Sequence, residues 1–507
     1  MGALRLAIIG GGPRALWAIE ELAARAEELP AMDIDVWEPE PTCGAGRVYR
    51  ADQPAYWLMN LRAEGITTAM GSFVDWREAK RNAGLPLDPG HFPPRRDVGA
   101  YLGDAWAWQV GQAPPTVRIR HVCKRVTDIR RADDTRQEQW KISAAYPEAD
   151  QAFELYDHVL VAAGHAQAWP GALQGSRVIE ELSQVPDGGT IGVRGAALTF
   201  IDVMLAATLG RGGSYAAGTY TPSGREPILN PVNRSGRFME VKAVPGTALD
   251  GIALPALPEY GQRIERCTTL AELEDVLADA AADFLQAAGV EPDRAELYSV
   301  LTGGDAAGDP VAELRVSIDV ANGQRPPGAA WAIGEAWRRL YPHIVARASF
   351  AGRDDLPGFG TLARTLERVA FGPPAETAEI LLAVIEAGLV RVEWMGKPSI
   401  LDAWLTLDSA ESQDVHGVID AVIPPPGVVA GSLAEQLVQR GYARIRRGAD
   451  GSGRGLDVNP DASVPGQRGL AVVGRDVEDT VLGLDTLSRT LHSTIPAWAD
   501  SLRHHVN

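Results

Sequence analysis

The stretch LAIIGGGPRALWAIEEL, residues 6–22, places three consecutive glycines between an apolar run and a helix-like pattern. The apolar run, Leu4–Ile9, predicts a buried strand. The apolar residues after the glycines recur at helical spacing: Ala15, Leu16, Ile19, Leu22 and Ala23. Glycines where a strand passes into a helix allow a tight turn and a close approach to the backbone, so this stretch predicts a nucleotide-binding turn.

The turn itself, Gly10–Ala15, fits the pattern G-x-G-x-x-G/A. The first glycine permits the turn, the second makes room for a pyrophosphate, and the small third residue lets helix and strand pack closely. The amino end of the helix offers N–H groups and partial positive charge to the phosphates. Glu38, which ends the next predicted strand at 34–37, is placed to accept hydrogen bonds from an adenosine ribose. These residues together predict a bound dinucleotide.

Bulk properties narrow the class of protein. A chain of 507 residues is too long to fold around a single hydrophobic core, so two or three domains are expected. The formal net charge of −18 argues against a nucleic-acid partner and against an anionic membrane surface. No apolar run is long enough to span a membrane, and the amino-terminal residues do not form a secretory signal.

The cysteines also exclude functions. Cys43, Cys123 and Cys267 are scattered and odd in number, which is typical of a reducing cytoplasm. Without a Cys-x-x-Cys pair, a flavin reductase that relays electrons through a dithiol is not expected. No cluster of residues has metal-ligand spacing, so no metal is predicted, and the absence of G-x-S-x-G argues against a nucleophilic hydrolase.

Further along the chain, a second strand–turn–helix unit is predicted at 189–210. Residues 39–72, rich in Pro, Gly and Ala, predict a long loop, and a loop of that length is usually functional. The region 265–395 is rich in Ala, Leu and Glu and is expected to be mainly helical. The last strand should end at Arg475, and a helix from about Leu484 should close the chain.

With these features the sequence resembles the two-dinucleotide-domain flavoproteins, and within them a bacterial FAD/NAD(P)-binding family related to the ornithine and lysine N-hydroxylases. The resemblance is carried by Gly10–Ala15, Glu38 and residues 58–68, 92–102, 161–165, 194–206, 222–227 and 472–489. It covers residues 1–230 and 465–507 well, whereas the helical middle matches only through 368–374.

The resemblance implies an α/β fold with two Rossmann-like dinucleotide-binding domains, the first of the glutathione-reductase-like FAD type, and a mainly helical insertion. The implied domains are an FAD domain at 1–172 plus 465–507, a second Rossmann-like domain at 173–264 plus 396–464, and an insertion at 265–395 that could cover the substrate. The carboxy-terminal strand would join the first sheet, and the helix near Asp485 and Thr486 would point its amino end at the flavin.

FAD is the expected cofactor, with NADPH or NADH as the candidate second one. The residues expected to bind the cofactor are Gly10, Gly12, Pro13, Arg14, Ala15, Glu38, Asn60, Arg95, Gly164, Gly474, Asp485 and Thr486. For Arg95 a solvated basic pair with Arg96 is the alternative.

The second fingerprint departs from its pattern. Reading from Gly195, the middle glycine is replaced by Ala197 and the third small residue by Phe200. A methyl group at the first of these positions pushes a pyrophosphate away, and a benzyl group at the second forces helix and strand apart. Nicotinamide binding therefore stays open. The candidate residues for it are Arg194, Gly195, Ala197 and Arg225, with the two arginines supplying charge for phosphate.

The leading hypothesis is an NAD(P)H-dependent flavin monooxygenase, similar to an N-hydroxylase, that oxygenates a nucleophilic nitrogen or carbon of a small molecule. The helical insertion would then exclude water from the flavin, with aromatic residues at Trp331, Trp337, Tyr341 and Phe350. Candidate substrate-binding residues are His165, Arg338 and His343, for which surface charge or plain packing is the alternative. No acid, base or nucleophile is assigned, and a homodimer is compatible with such folds.

Two other functions stay open. An FAD-dependent dehydrogenase or oxidase would take a hydride from its substrate and would not need the second nucleotide site. A non-redox flavoprotein would use FAD as a structural group only. Reduction of the flavin by a nicotinamide, by a candidate substrate or by neither separates the three hypotheses.

Overall fold

A computed structural model describes residues 3–132, 139–144, 153–164, 172, 179–400, 416–448, 451, 453–484 and 486–505. Its strands, numbered in chain order, are β1 (Leu4–Ile9), β2 (Met32–Trp37), β3 (Thr67–Thr68), β4 (Gly71–Ser72), β5 (Val117–Val122), β6 (Val126–Arg131), β7 (Trp140–Ala144), β8 (Phe153–Tyr156), β9 (His158–Val161), β10 (Thr190–Arg194), β11 (Ser214–Ala216), β12 (Thr219–Thr221), β13 (Ile228–Val232), β14 (Val418–Asp420) and β15 (Leu470–Val472).

The α-helices are α1 (Pro13–Ala24), α2 (Phe73–Asn82), α3 (Arg95–Gly111), α4 (Leu198–Ala207), α5 (Leu257–Arg266), α6 (Leu270–Ala287), α7 (Arg294–Thr302), α8 (Pro310–Ala321), α9 (Ala329–Ala348), α10 (Phe359–Ala370), α11 (Ala375–Glu386), α12 (Leu433–Gln439) and α13 (Thr494–Ser501). Within the described residues, no helix combines the length and the apolar character that crossing a membrane requires.

The first sheet contains five parallel strands in the order β15–β9–β1–β2–β5. Strand β1 lies at its centre and is buried on both faces, as expected for a parallel sheet covered on both sides. Leu6 and Ile8 pack into a core with α1, α3 and α13. Ala7 and Ile9 point to the other face and share a core with β6, β7 and α12. The continuous apolar run of β1 is therefore explained by burial on two faces.

The strand predicted near the carboxy terminus is β15, and it pairs with β9 at the edge of this sheet, as the resemblance implies. The prediction of a helix from about Leu484 is wrong, because residues 481–484 and 486–493 form turns and bends and α13 begins only at Thr494. The backbone N–H groups of Gly483 and Leu484 donate instead to the Glu478 carboxylate, at 2.6 and 2.7 Å. These two bonds tie the backbone of residues 483–484 to Glu478.

The second sheet is parallel as well, with the order β13–β10–β14. Helix α4 follows β10 and shares a core with α8 and α11. Phe200 of α4 is fully buried in that core and stacks on Phe238 with ring centroids 6.2 Å apart. Two strand–turn–helix units, each on a parallel sheet, confirm the predicted α/β class with two Rossmann-like units.

The helical region does have a core of its own, formed by α5, α6, α7, α9 and α10. Trp331 and Trp337, expected as aromatic residues of a lid, are 5% and 1% exposed within this core. Tyr341 packs against the same core, whereas Phe350 packs against the core behind the first sheet. The two tryptophans thus serve the packing of the helices.

The packing of α3 predicts opposite effects for two of its glycines. A Cβ added at Gly99 would overlap the carbonyl oxygen of Tyr49, whereas one added at Gly103 meets no atom within 4 Å. Gly103→Ala should therefore raise the free energy of unfolding by up to about 1 kcal/mol, the usual gain of Ala over Gly inside a helix. Gly99→Ala should lower the thermal midpoint, because the backbone of the 49–50 segment must move. Equal midpoints for the two variants would contradict this packing.

Candidate cofactor and substrate site

The turn between β1 and α1 crosses the carboxyl edge of the first sheet. Gly10 has a φ of +104°, and a Cβ there would overlap the carbonyl oxygen of Ala162, just after β9. Its N–H group donates to the carbonyl of Trp37 at 2.9 Å, at the end of β2. The turn is therefore held between the ends of the two neighbouring strands, and only glycine fits its first position.

Gly12 is the residue that leaves the turn open to a ligand. It caps α1, with Pro13 at the first helical position, and its carbonyl accepts from the N–H groups of Ala15 and Leu16 at 3.0 and 3.2 Å. Among the described residues, its own N–H group has no acceptor. A Cβ built on Gly12 would approach only the Cα of Gly46, at 3.7 Å. A donor at a helix amino end beside free space fits a phosphate group.

Glu38 follows β2 and faces the same turn. Its carboxylate accepts from the N–H group of Gly11 at 2.7 Å and from that of Glu40 at 3.1 Å. A carboxylate has about four acceptor positions, so two remain for the hydroxyl groups of a ribose. The position predicted from the sequence therefore agrees with the geometry, although the ribose contact itself stays a prediction.

Arg14 does not turn its side chain toward the phosphate position. Its guanidinium donates to the carbonyls of Leu484 and Thr486, at 2.5 and 2.9 Å, and lies 4.6 Å from the ring of Trp17. The side chain thus ties α1 to the carboxy-terminal segment. Thr486 contributes its backbone carbonyl, which accepts this hydrogen bond from Arg14. It does not lie at the amino end of a helix, as was expected. Asp485 lies outside the described residues.

Gly164 and Gly474 end β9 and β15 at the same edge of the sheet, with φ values of +74° and +88°. His165 lies outside the described residues. Sequence reasoning missed Asp476, which is 7% exposed and whose carboxylate accepts no hydrogen bond from any described residue. The signal was available: an acidic residue stands two positions after the glycine that ends the last strand.

Burial raises the pKa of Asp476 to about 7, and Arg475 only partly opposes that shift. The ionised carboxylate destabilises the cofactor-free fold, because the pKa in the unfolded chain is about 4. This destabilisation is absent below about pH 4 and grows as the pH rises to about 7.

In cofactor-free protein, Asp476→Asn should therefore gain stability over the natural chain as the pH rises from 4 to 8, by up to about 4 kcal/mol. Urea unfolding at each pH measures the difference. The control is Asp52→Asn, at a residue that is 72% exposed. A difference between Asp476→Asn and the natural chain that stays constant with pH would refute the assignment.

The second turn, at Gly195–Ala197, is less suited to binding a phosphate than the first. Gly195 has a φ of +109° and Ala197 caps α4 with its side chain exposed, so the predicted positions do form a turn. Arg194, however, forms an ion pair with Asp420 at 3.1 Å, and Arg225 forms one with Asp187 at 3.2 Å. Arg225 and Asp187 precede β13 and β10, so they lie at the amino edge of this parallel sheet, whereas the turn lies at its carboxyl edge. Of the two arginines, Arg194 alone is therefore at the turn, and its charge is already paired with Asp420.

Arg95 was expected to bind the cofactor, and the structure places it in an ion pair with Asp202. Its guanidinium donates two hydrogen bonds to the carboxylate of Asp202 in α4, at 2.7 and 3.1 Å. Burial raises the pKa of Asp202, and Arg95 opposes that shift. Trp57 adds a hydrogen bond from its indole N–H to the carbonyl of Asp202 at 3.1 Å. The pair therefore joins the first unit to the helix of the second.

Replacing Arg95 by Met should destabilise the protein by about 3–5 kcal/mol, because Asp202 would keep a buried charge without its partner. The double variant Arg95→Met/Asp202→Leu should recover most of the loss, since neither charge then remains. Urea unfolding measures both. Arg118→Met serves as control, because Arg118 is 83% exposed in its pair with Asp33. A double variant no better than the single one would show that the pair is not the cause.

A further group of residues forms around Asn60, which was expected to bind the cofactor. Its side-chain amide donates to the carbonyl of Phe371 at 3.2 Å, and its own carbonyl accepts from the ammonium of Lys242. Arg338 donates to the neighbouring carbonyl of Ala370 at 2.6 Å. The segment 368–374, the one part of the helical middle that supports the resemblance, thus receives hydrogen bonds from both sides.

The structure brings Arg338 to this group but not His343. The two residues lie five positions apart on α9, about 140° around the helix. His343 forms a contact of 2.6 Å with Glu265 on the side of α5. Lys242 was missed by sequence reasoning, which had no means of placing an isolated lysine. Burial lowers the pKa of Lys242 to about 7, Arg338 and Arg62 add to that shift, and Glu335 opposes it.

Comparison with known proteins agrees with this geometry. Residues 7–166 match the family described as FAD-NAD(P)-binding. An L-aspartate N-monooxygenase (nitrosuccinate-forming) of Streptomyces davaonensis is 29% identical over 286 residues, covering 45% of this chain and 43% of that protein. A nitrosuccinic acid synthase of Aspergillus oryzae is 30% identical over 266 residues, covering 46% of this chain and 40% of the synthase.

Among solved structures, an ornithine N-hydroxylase of Kutzneria sp. 744 aligns over 100% of both chains with a TM-score of 0.49 and 11% identity. In sequence, however, the chain spans less than half the length of the curated relatives it matches.

The matched region contains β1, α1, β2 and β9, which are the elements that form the first turn. The chain therefore carries an FAD/NAD(P)-binding domain, as the resemblance found in the sequence implies. Its curated relatives include N-monooxygenases that act on L-aspartate.

Proposed function

We propose that this protein is an NAD(P)H-dependent flavin N-monooxygenase that acts on an amino group of a small molecule. The overall reaction would convert an amine, O2, NAD(P)H and a proton into a hydroxylamine, NAD(P)+ and water. The observation that carries the proposal is the open phosphate position at Gly12, within a region that matches an FAD-NAD(P)-binding family. The activities named for the relatives support the choice of an amine nitrogen.

The residues of the first unit fit FAD. Gly12 would donate its N–H group to the diphosphate, and Glu38 would accept hydrogen bonds from the adenosine ribose. Asp476 has an unused buried carboxylate, which suits a hydroxyl group of the ribityl chain. Once bound, FAD would supply the two-electron chemistry with a nicotinamide and with O2. Gly10, Pro13, Ala15, Gly164 and Gly474 would shape the walls of the site.

NAD(P)H would lie on the second unit, at the turn between Gly195 and Ala197. The helical insertion would cover the reacting groups and exclude water. The three-domain division implied by the resemblance stays a proposal, although α12 packs in a core of the first sheet and α8 and α11 pack in that of the second. A cytoplasmic location is supported by three free cysteines, two of them buried. A homodimer stays a prediction.

One observation favours a second candidate function. Ala197 narrows the second turn, and Arg194 at the end of β10 is paired with Asp420. A weak nicotinamide site would make the protein an FAD-dependent dehydrogenase or oxidase, reduced directly by its substrate. The same experiment separates the two functions.

Purified holoenzyme should lose its flavin absorbance when NADPH or NADH is added without oxygen. When air is readmitted with L-aspartate, L-ornithine or cadaverine, at least one amine should give a hydroxylamine or a product oxidised further at nitrogen. Gly12→Val should lose bound FAD, because its side chain would fill the phosphate position, whereas Gly103→Ala should keep it.

Bleaching by an amine alone would support the oxidase and refute the monooxygenase. Absence of bleaching by every compound would refute both functions.

A further inference from the structure

Lys242 lies where three parts of the chain meet. We call its surroundings the Lys242 crevice, formed by Asn60, Phe92, Lys242, Arg338 and Phe371. Asn60 belongs to the long loop after β2, Arg338 belongs to α9, and Phe371 follows α10. The ring of Phe92, which is 3% exposed, lies 6.0 Å from the ammonium group. Lys242 itself stays partly accessible.

The backbone on either side of Lys242 is fixed. Its N–H group donates to the carbonyl of Pro373 at 3.0 Å, and that of Glu240 donates to the carbonyl of Arg368 at 3.0 Å. A Cβ at Gly372 would overlap the carbonyl oxygen of Glu240, so the two segments lie in close contact. A side chain on such a rigid support keeps its position without a ligand, which is the usual property of a binding residue.

The charges of the crevice do not balance. Within the part of the chain that the structure describes, no carboxylate lies within 4.0 Å of the Lys242 ammonium. The nearby acids already have partners, since Asp250 pairs with Arg62 and Glu335 pairs with Arg338 and Arg339. The crevice therefore carries net positive charge in a place shielded from water, and an anion would be held there strongly.

The Lys242 ammonium also has hydrogen-bond donors that a ligand could use. An ammonium group has three donors. One donates to the carbonyl of Asn60, and the described residues offer no acceptor to the other two. Two free donors on one nitrogen suit the oxygens of a carboxylate, which form short, charge-assisted bonds with Lys.

The crevice is connected to the cofactor turn by a single loop. Gly46 of the loop after β2 lies against Gly12, and Asn60 of the same loop binds Lys242. Between them, Trp57 contacts α4 of the second unit. A molecule held at Lys242 would thus be positioned by the loop that also borders the phosphate position.

We infer that Lys242 binds a carboxylate of the substrate, so that the substrate is an amino acid and not a simple amine. The inference rests on the proposed function for the identity of the reaction, but binding at the crevice can be measured without turnover. Arg62 and Arg338 add favourable charge, while Asn60 fixes the direction of the ammonium.

The test uses the oxidised holoenzyme and calorimetric titration with L-aspartate, L-ornithine and cadaverine, which carry two, one and no carboxylates. Both amino acids should bind, and cadaverine should bind at least tenfold more weakly than the better of them. Lys242→Met should weaken binding of that amino acid about 10- to 100-fold, the usual effect of losing a charged hydrogen bond. Lys242→Arg should recover part of the affinity, because it restores the charge.

Two controls separate binding from folding. Lys80→Met removes a partly exposed lysine of α2 that pairs with Asp104 of α3, and this variant should bind as the natural chain does. FAD content should be unchanged in every lysine variant. Between pH 6 and 8.5, affinity should fall above about pH 7 in the natural chain, because Lys242 loses its proton. It should stay constant in Lys242→Arg, whose guanidinium remains charged.

Unchanged binding in Lys242→Met, preference for cadaverine, or no binding of either amino acid would overturn the inference. If the amino acids bind through Lys242 but no nicotinamide bleaches the flavin, the crevice assignment stands and the proposed function fails. If amines are oxygenated equally well in Lys242→Met, the function stands and the crevice assignment fails.

Discussion

The structure depends on the contact between the first turn and the strand next to it. Gly10 lies so close to the carbonyl of Ala162 that no side chain fits between them. This contact brings the ends of β1 and β9 together and aims the amino end of α1 along the edge of the sheet. Gly12, Glu38, Gly164 and the residues after β15 then lie at the same carboxyl edge of the parallel sheet. If the turn were wider, the same residues would lie on one sheet without converging.

Local sequence determines much of this arrangement, so the first unit could be predicted well. Strand β1, the glycine turn and helix α1 are contiguous, and their periodicities are distinct. Glu38 could be predicted because it ends the neighbouring strand. The second turn could be located in the same way, and its departures from the glycine pattern, Ala197 and Phe200, could be read directly from the sequence.

Contacts between distant parts of the chain could not be predicted. No pattern shows that Arg95 pairs with Asp202, or that Arg194 pairs with Asp420, because each pair joins residues far apart in sequence. The predicted helix at Leu484 was also wrong, and the backbone there is held by a distant residue, since Arg14 donates to the carbonyls of Leu484 and Thr486. The role inferred for Lys242 depends on its neighbours, which come from three separate regions of the sequence, so it could not be predicted from the sequence.

The position of β15 has a consequence for biosynthesis. The first sheet is completed by a strand that is translated after the whole second unit and the helical region. A growing chain that has reached only β9 lacks this edge of the sheet and the residues that follow β15, among them Gly474 and Asp476. Capture of the flavin should consequently be a late event, following release of the carboxy-terminal segment and independent of the order in which the other units fold.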